Sequence, residues 1–365
     1  MNLNAASIVF RADAGLSIGN GHVMRCLTLA DALAQRGKRC MFVSRSDAGH
    51  AFNEIRRRGH ALIELSASVL DWREDARLTV HALGEGVPEW LVVDHYSFDA
   101  SWECVLASRC KRLMVIDDLA DRTHQCHLLL DSNLGRQASK YRALVPATAQ
   151  VLTGPGFAPL RPEFAECRSA SLQRRQTGDG LHHLMISMGG IDRDNATAAV
   201  LKALQTCVLG NTTRLTAVMG SQAPALPQVK ALAATMPWPT RVVVDECRMG
   251  ELMVDCDLSI GAAGSTSWER CCVGLPALVA VLAPNQSEAS EQLQRAGAVL
   301  YFELDADLPA WLSTTLSNLA ASPQVLANMS RAAAGVTDGR GCDRVIAAML
   351  AITNATGSSR EASHG

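Results

Sequence analysis

The chain has 365 residues, of which 48% are hydrophobic and 19% charged, a length and composition that predict two packed domains. Lysine and arginine together number 34 and aspartate and glutamate 36, so the net charge is close to zero and indicates neither a nucleic-acid partner nor a charged tail. The apolar runs are short, and residues 1–7 lack the pattern of a secretory signal. We therefore predict a cytoplasmic protein with no membrane span.

Cysteine usage indicates a reducing compartment. The 12 cysteines include no C-x-x-C pair, and the neighbours Cys271 and Cys272 could form only a strained disulfide. One segment, His124-Gln-Cys126-His127, carries residue types that bind zinc. A structural zinc ion takes four ligands and no second pair lies nearby, so we predict free thiols and no metal site.

The first half of the chain alternates short apolar runs with a helical pattern. A helix is predicted over residues 21–35, because apolar residues such as Val23, Leu27 and Ala30 recur at intervals of three or four. Strands are predicted at residues 8–10, 40–43, 61–63, 91–94, 113–117 and 128–131, and the last three runs end in aspartate. Apolar runs without alternation are typical of parallel strands that are buried on both faces.

A change in composition marks the middle of the chain. Residues 161–180 combine proline, hydroxyl side chains, arginine and glutamine, and are predicted to form an exposed linker. A second series follows, with strands predicted at 184–188, 215–219, 241–244, 258–260 and 276–282, and helices at 311–319 and 342–352. The small polar residues 354–365 are predicted to be disordered.

These patterns predict an α/β protein with two Rossmann-like parallel-sheet domains, residues 1–160 and 181–353. Two such domains imply a cleft between them. In open parallel sheets, ligands bind beyond the carboxyl ends of the strands. We therefore look for functional residues in the loops that follow strands.

The loop after the first strand carries the most informative residues. Gly19 and Gly21 allow close approach of the backbone to a ligand, but Met24 stands where a dinucleotide fingerprint has its third glycine. His22 opens the predicted helix, where the dipole disfavours a protonated imidazole, and is either a general base or a helix cap. Asp13 is either the group that orients this imidazole or a turn cap.

Two loops in the second half are candidates for phosphate binding. Each follows a strand and opens a helix, where small residues expose N–H groups, although an ordinary strand-to-helix turn has the same pattern. The candidate residues are Gly189, Gly190, Gly264, Ser265 and Thr266. Glu269 lies one turn further on, where its carboxylate either accepts hydrogen bonds from both ribose hydroxyls or simply favours the helix N-terminus.

A fourth loop is suited to a sugar. Asn285 and Gln286 follow the strand predicted at 276–282. Side-chain amides supply donors and acceptors without charge, which fits hydroxyl and acetamido groups. Turn formation alone also explains the Pro-Asn pair at residues 284–285.

Six motifs occur in an order that resembles one known family. They are G-x-G-H-x-x-R at 19–25, V-V-D-H-Y at 92–96, I-D-D-L-A-D-R at 116–122, L-R-P-E-F at 160–164, S-M-G-G at 187–190 and G-A-A-G-S-T-S-W-E at 261–269. Together they resemble the UDP-2,4-diacetamido-2,4,6-trideoxy-β-L-altropyranose hydrolase family of pseudaminic acid biosynthesis. The resemblance extends over about residues 7–350, and its specificity comes from the ordered set.

The resemblance implies a GT-B fold, like that of the glycosyltransferase that makes lipid II, with UDP bound mainly by the C-terminal domain. Because a helix N-terminus can bind phosphate in place of a metal ion and no carboxylate cluster suits Mg²⁺, we also predict that no cofactor or metal is needed, and we predict a monomer because the sequence shows no interface. The resemblance further implies hydrolysis of the UDP-activated diacetamido sugar with inversion. It also implies roles for residues. His22 would be the catalytic base, with Gly19, Gly21, Arg25, Gly189 and Gly190 lining the substrate site, Gly264 to Thr266 holding diphosphate, Glu269 the ribose, and Asn285 and Gln286 the hexose.

The chain departs from the expected family pattern at two places. Phe157 stands where a tyrosine is expected before the L-R-P-E-F motif, so any phenol hydrogen bond there is lost. Cys126 and His127 stand where Cys-Asp is expected. Both departures concern fine substrate contacts and leave the predicted fold and reaction class unchanged.

Three other activities fit the same architecture. A glycosyltransferase would pass the sugar to an alcohol, and a hydrolysing UDP-N-acetylglucosamine 2-epimerase would scramble the configuration at C2. A non-enzymatic UDP-sugar sensor would bind UDP without turnover. Because a fold alone does not fix function, the His22 loop is what favours hydrolysis.

Overall fold

The computed structural model describes residues 7–66, 71–176, 180–282 and 286–361. The chain divides into two compact units. The first is formed by Met1–Leu160 together with Arg340–Gly365, and the second by Arg161–Gly339. Each unit is built on one parallel sheet, as the uninterrupted apolar strands predict.

The first unit contains a seven-stranded sheet. Its strands are β1 (Ile8–Ala12), β2 (Cys40–Arg45), β3 (Ala61–Leu65), β4 (Trp90–Asp94), β5 (Leu113–Ile116), β6 (Leu128–Asp131) and β7 (Gln150–Thr153). Its first four helices are α1 (Gly21–Ala34), α2 (Phe52–Arg57), α3 (Trp72–Leu83) and α4 (Ala100–Ala107). The strand order is β3-β2-β1-β4-β5-β6-β7, with all pairs parallel, so the order reverses between β1 and β4.

Two apolar clusters cover the two faces of this sheet. Phe10 and Val92 belong to the cluster on the side of α1, whereas Val9, Leu91 and Val93 belong to the cluster on the side of α3 and α4. Side chains alternate between the faces along each strand because the period of a strand is two. This alternation decides which polar side chains at the strand ends can meet.

The second unit contains a six-stranded sheet. Its strands are β8 (His183–Ser187), β9 (Arg214–Met219), β10 (Thr240–Val244), β11 (Leu258–Ala262), β12 (Ala277–Ala280) and β13 (Val299–Phe302). Its helices are α5 (Pro162–Gln176), α6 (Ala196–Leu204), α7 (Leu226–Ala233), α8 (Met249–Asp255), α9 (Thr266–Cys272), α10 (Ser287–Arg295), α11 (Leu308–Ala321) and α12 (Pro323–Ala334). The order is β10-β9-β8-β11-β12-β13, with all pairs parallel.

The linker predicted at residues 161–180 is wrong, because most of this segment forms α5 within the second unit. Phe164 and Ser171 are fully buried, and Ser171 Oγ donates to Val273 O at 2.6 Å. Arg168 donates to the carbonyl oxygens of Ala334 and Cys272. The arginines that suggested an exposed connection therefore satisfy carbonyl groups at the ends of neighbouring helices.

The predicted end of the second domain and the disordered tail also need correction. A final helix, α13 (Gly341–Glu361), belongs to the first unit and continues through most of the predicted tail. Val345, Ile346 and Met349 are at most 3% exposed and join the apolar cluster on the α1 side of the sheet. A methyl group on Gly341 would overlap Ala158, so glycine permits the start of this helix to pack closely.

Two strands were not predicted, and both lie at sheet edges. β7 ends the seven-stranded sheet and β13 ends the six-stranded sheet. Each mixes buried and exposed positions within four residues, which obscures the apolar run. The remaining strands and the helix at residues 21–35 are found within a few residues of their predicted positions.

Candidate functional site

The loop between β1 and α1 places His22 in the first turn of the helix. Gly15 and Gly19 pair through their backbones, and Gly19 has a φ of +75°, a conformation that glycine adopts readily. Apart from adjacent residues of the chain, no described residue has a heavy atom within 4 Å of the Cβ position at Gly19 or Gly21. The loop therefore leaves open space beside the imidazole, as close approach to a ligand requires.

A buried carboxylate at the end of β4 holds the His22 ring. Asp94 Oδ1 lies 2.6 Å from His22 Nδ1, and Asp94 is fully buried. Burial raises the pKa of Asp94, but neighbouring Arg25 and His22 outweigh it and hold this pKa well below its usual range. An ionised Asp94 accepts a hydrogen bond from Nδ1–H, and this tautomer leaves Nε2 with its lone pair and able to take a proton.

Arg25 fixes the same carboxylate from the next turn of α1. Its Nε donates to Asp94 Oδ2 at 2.5 Å and its Nη2 donates to Oδ1 at 2.6 Å. Its Nη1 donates to Asp118 Oδ2 at 3.1 Å. A bidentate guanidinium of this kind fixes a carboxylate in one orientation, so Arg25 positions the group that orients His22.

Two further side chains complete this cluster. The Tyr96 ring meets the His22 ring edge-on, with centroids 4.5 Å apart. Tyr96 Oη donates to Asp118 Oδ2 at 3.2 Å, and burial, followed by the charge of Asp118, raises the pKa of the phenol. Tyr96 is 38% exposed, so its oxygen, whose proton is donated to Asp118, can also accept a hydrogen bond from solvent or substrate next to His22.

The predicted contact between Asp13 and His22 is not formed. Asp13 is fully buried and accepts from Arg11 Nη1 at 2.5 Å and from Arg45 N at 2.7 Å, while His95 Nε2 lies 3.3 Å from its Oδ2. Burial raises the pKa of Asp13, but Arg11 and His95 hold it far below its usual range. Asp13 therefore ties together the ends of β1, β2 and β4 and supports the site indirectly.

The β8–α6 loop of the second unit carries Gly189 and Gly190. Gly189 has a φ of +100°, and no heavy atom lies within 4 Å of the Cβ position of either glycine. Gly220 N donates to Gly190 O at 2.9 Å, and a methyl group on Gly220 would overlap that oxygen. Gly220 therefore holds the carbonyl group of Gly190, while the side of the loop where side chains would lie is open, as binding of a phosphate requires.

The β11–α9 loop exposes a row of donors. Among the described residues, the N–H groups of Gly264, Ser265 and Thr266 have no hydrogen-bond acceptor. Gly264 and Ser265 are exposed, and no described residue other than its chain neighbours comes within 4 Å of the Cβ position of Gly264. Successive free N–H groups at a strand-to-helix turn form a suitable site for an anion.

Glu269 follows one turn into α9. Its side chain is 20% exposed, and its Oε1 lies 3.8 Å from Arg161 Nη2. Burial raises the pKa of this carboxyl group, although Arg161 lowers it. Its oxygens are available to accept from a pair of ligand hydroxyls.

The loop predicted to contact the sugar is only partly described. Asn285 lies outside the described residues. Gln286 Oε1 accepts from Leu282 N at 2.9 Å, so its amide oxygen already has a backbone partner. The amide nitrogen of Gln286 is the part of the side chain that could still donate to a sugar.

The zinc-like segment has a structural role. His124 Nδ1 lies 2.7 Å from Glu103 Oε1, and His127 Nδ1 accepts from Leu113 N at 3.1 Å. Across the ranges that the structure covers, no group of three or more His, Cys, Asp or Glu side chains could hold a metal ion. No helix in those ranges is long and apolar enough to cross a membrane.

Sequence reasoning missed three members of the His22 cluster: Asp94, Tyr96 and Asp118. The available signal was the set of predicted strands that end in aspartate, since the carboxyl ends of neighbouring parallel strands meet at one edge of the sheet. Asp94 ends β4, the neighbour of β1, and Ala12 and Asp94 are paired across the two strands. Strand order, which the sequence leaves open, was needed to bring Asp94 to His22.

Comparison with known proteins finds one family model and several curated relatives that match part of the chain. Residues 199–344 match the model of the glycosyltransferase family 28 C-terminal domain. The chain is 27% identical over 199 residues to the UDP-2,4-diacetamido-2,4,6-trideoxy-β-L-altropyranose hydrolase of Campylobacter jejuni, covering 54% of this chain and 65% of that protein. The matches span 55–65% of the length of the curated relatives, which is less than two thirds.

Solved structures identify the architecture. MurG of Acinetobacter baumannii superposes with a TM-score of 0.70 at 14% identity, covering 94% of this chain and 99% of MurG. A candidate UDP-N-acetylglucosamine 2-epimerase of Listeria monocytogenes superposes with a TM-score of 0.58 at 12% identity, covering 94% and 96%. The chain has the GT-B fold. Solved structures that superpose on this chain include a calicheamicin glycosyltransferase as well as the candidate epimerase, so the fold alone leaves the reaction open.

Proposed function

We propose that the protein hydrolyses a UDP-sugar by direct attack of water on the anomeric carbon. The proposed substrate is UDP-2,4-diacetamido-2,4,6-trideoxy-β-L-altropyranose, and the products are UDP and the free diacetamido sugar, a step of pseudaminic acid biosynthesis. The observation that carries the proposal is the 2.6 Å contact between His22 Nδ1 and the buried Asp94, which prepares Nε2 to act as a base.

The proposed reaction has one chemical step. His22 Nε2 removes a proton from a water molecule, and the water oxygen forms a bond to C1 of the sugar on the face opposite UDP. The bond between C1 and the phosphate oxygen breaks, and its electron pair leaves with UDP. The configuration at C1 is inverted, and the proton on His22 is later released to solvent.

The second unit supplies the proposed nucleotide contacts. The free N–H groups of Gly264, Ser265 and Thr266 would hold the diphosphate and stabilise the charge that develops on it as C1–O breaks. Glu269 would accept hydrogen bonds from the ribose hydroxyls. Gly189 and Gly190 would allow the β8–α6 loop to approach the phosphates closely.

Transfer of the sugar to an alcohol is the second candidate, supported by the match to the glycosyltransferase family 28 C-terminal domain. A water-activating base serves both reactions, because an alcohol acceptor is also deprotonated as it attacks. The similarity to the Campylobacter jejuni hydrolase favours water.

Product analysis separates these candidates. The purified full chain is incubated with the UDP-linked diacetamido sugar in buffer without an acceptor, and the mixture is followed by ¹H and ³¹P NMR. The proposal expects UDP and free sugar to appear together at equal rates. Turnover only after an alcohol is added would establish transfer, a UDP-sugar altered at C2 would establish epimerisation, and UDP binding without turnover would establish a sensor.

A further inference from the structure

An arginine that has no acidic partner among the described residues lies beneath the loop proposed to hold the diphosphate. Arg270 is 1% exposed, and its Nε and Nη1 are buried without a hydrogen-bond partner. Its Nη2 donates to Ala262 O and to Ser267 Oγ, both at 2.8 Å. Among the described residues, no carboxylate lies within ion-pair distance of this guanidinium.

Gly261 explains how the guanidinium reaches this position. A methyl group on Gly261 would overlap Arg270 Nη1 and would lie 2.8 Å from Ser187 O. Gly261 and Ser187 are paired where β11 and β8 end. The cation therefore lies at the carboxyl ends of the two strands whose loops carry Gly264 and Gly189.

We propose that Arg270 supplies the positive charge that balances a diphosphate bound on the β11–α9 loop, acting from beneath the loop while the backbone N–H groups make the direct contacts. This assignment rests on the proposed function, since it takes the loop as the diphosphate site. It adds a charged residue to a site that otherwise offers only neutral donors.

Electrostatics gives the reason for this assignment. A buried cation without an acidic partner is unfavourable in a folded chain, and an anion bound nearby would reduce that penalty. Burial lowers the pKa of Arg270 to about 10, which leaves the guanidinium charged at neutral pH. The three free N–H groups and this charge belong to the same strand-to-helix segment, from the end of β11 into α9, so they reinforce each other toward a phosphate-bearing ligand.

The contribution of the Arg270 charge is tested by comparing the affinity for UDP, which carries a diphosphate, with that for the nucleoside uridine, which carries none. Binding of UDP and of uridine to the full chain is measured by calorimetry for the wild type, Arg270→Met and Arg270→Lys. We expect Arg270→Met to lose about 10- to 100-fold in UDP affinity with uridine affinity unchanged. Arg270→Lys keeps the charge and should retain most of the preference for UDP over uridine.

Arg175 provides the matched control. It is a second, partly buried arginine of the same unit, but it donates to Met253 O and Cys256 O, before the start of β11. Arg175→Met should leave the preference for UDP unchanged. An equal loss in Arg175→Met would show that any buried arginine of this unit affects binding, and would overturn the assignment.

Three other results would decide the matter. If Arg270→Met and Arg270→Lys lose the UDP preference equally, the residue acts through loop shape and the charge assignment is overturned. If wild-type protein binds neither UDP nor inorganic pyrophosphate, the proposed function fails as well. If Arg270→Met does not fold, two measurements decide: the ratio of UDP affinity to uridine affinity in Arg270→Lys, and the rise in wild-type Tm with pyrophosphate. If Arg270→Lys loses the UDP preference and pyrophosphate does not raise Tm, the assignment is overturned.

Discussion

His22 and Asp94 meet because of the alternation of side chains along parallel strands. Asp94 shares its face with Val92, on the side of the sheet that α1 covers, so it lies under the first turn of that helix. Asp13 shares its face with Val9 and Arg11, on the side of α3 and α4. A carboxylate on that face cannot reach His22, although it is nearer in sequence.

This alternation also explains what the sequence could and could not provide. The glycine turn and the position of His22 at a helix start were readable, because both depend on local spacing. The partner of His22 could not be read from the sequence, because it depends on which strand lies beside β1. Asp13, in the same loop as His22, is the orienting group that the sequence suggests, and the structure replaces it with Asp94.

The first residue-scale prediction concerns the base itself. His22→Ala should lower kcat by about 10²–10⁴-fold, the usual contribution of a general base, while leaving UDP affinity unchanged. His50→Ala, an exposed histidine of the same unit, is the control and should turn over normally. Near-normal turnover by His22→Ala would remove this residue from the mechanism.

The second residue-scale prediction concerns Asp94, the group that orients His22. In Asp94→Asn, an amide N–H can face Nδ1, which would move the ring proton to Nε2 and stop that atom from accepting a proton. We expect kcat to fall by about 10²–10⁴-fold with KM little changed. Steady-state kinetics on folded protein, checked by circular dichroism, makes the measurement, and a kcat close to that of wild type would mean that Asp94 does not orient the base.

At the scale of elements, the chain crosses from the second unit back to the first. Strand positions were predictable because buried parallel strands are apolar runs, but the allocation of α5 and α13 to units was not. α5 is polar over much of its length, whereas α13 carries an apolar run at residues 345–352 that does not reveal which sheet it covers. The membership of each helix depends on a few buried side chains. Ser171 on α5 and Ile346 on α13 are examples.

A core substitution tests whether α13 belongs to the first unit. Ile346→Ala should lower the free energy of unfolding by about 2–5 kcal/mol, because it removes a side chain that is only 3% exposed in the sheet cluster. Leu350→Ala, on the same helix but 42% exposed, should change it by no more than about 0.5 kcal/mol. Urea unfolding compares the two, and equal effects would argue against this packing.

At the scale of the whole molecule, stability should depend on pH through the buried carboxylates. The pKa values of Asp13 and Asp94 lie below the usual range in the folded protein, so the unfolded chain binds these protons first, near pH 4. Stability rises with pH wherever the unfolded state binds more protons. The contribution of these groups is therefore complete at neutral pH and is lost as the pH falls below about 4.

Urea unfolding between pH 7 and pH 3 checks this dependence. Asp13→Asn removes one partner of the buried Arg11, so it should cost about 3–5 kcal/mol at neutral pH and flatten the acid slope. Glu64→Gln, in an exposed pair with Arg56, should cost only about 0–1 kcal/mol. An unchanged acid slope in Asp13→Asn would contradict the assignment of the slope to this carboxylate.

The position of the bond that breaks is the central claim for the molecule as a whole. It is tested by turnover of the UDP-linked diacetamido trideoxy altrose in ¹⁸O-labelled water, with both products analysed by NMR and mass spectrometry. The proposed attack on C1 places the label on the anomeric oxygen of the free sugar and leaves UDP unlabelled. Label in the terminal phosphate of UDP would place the attack on phosphorus and contradict the mechanism built on His22 and Asp94.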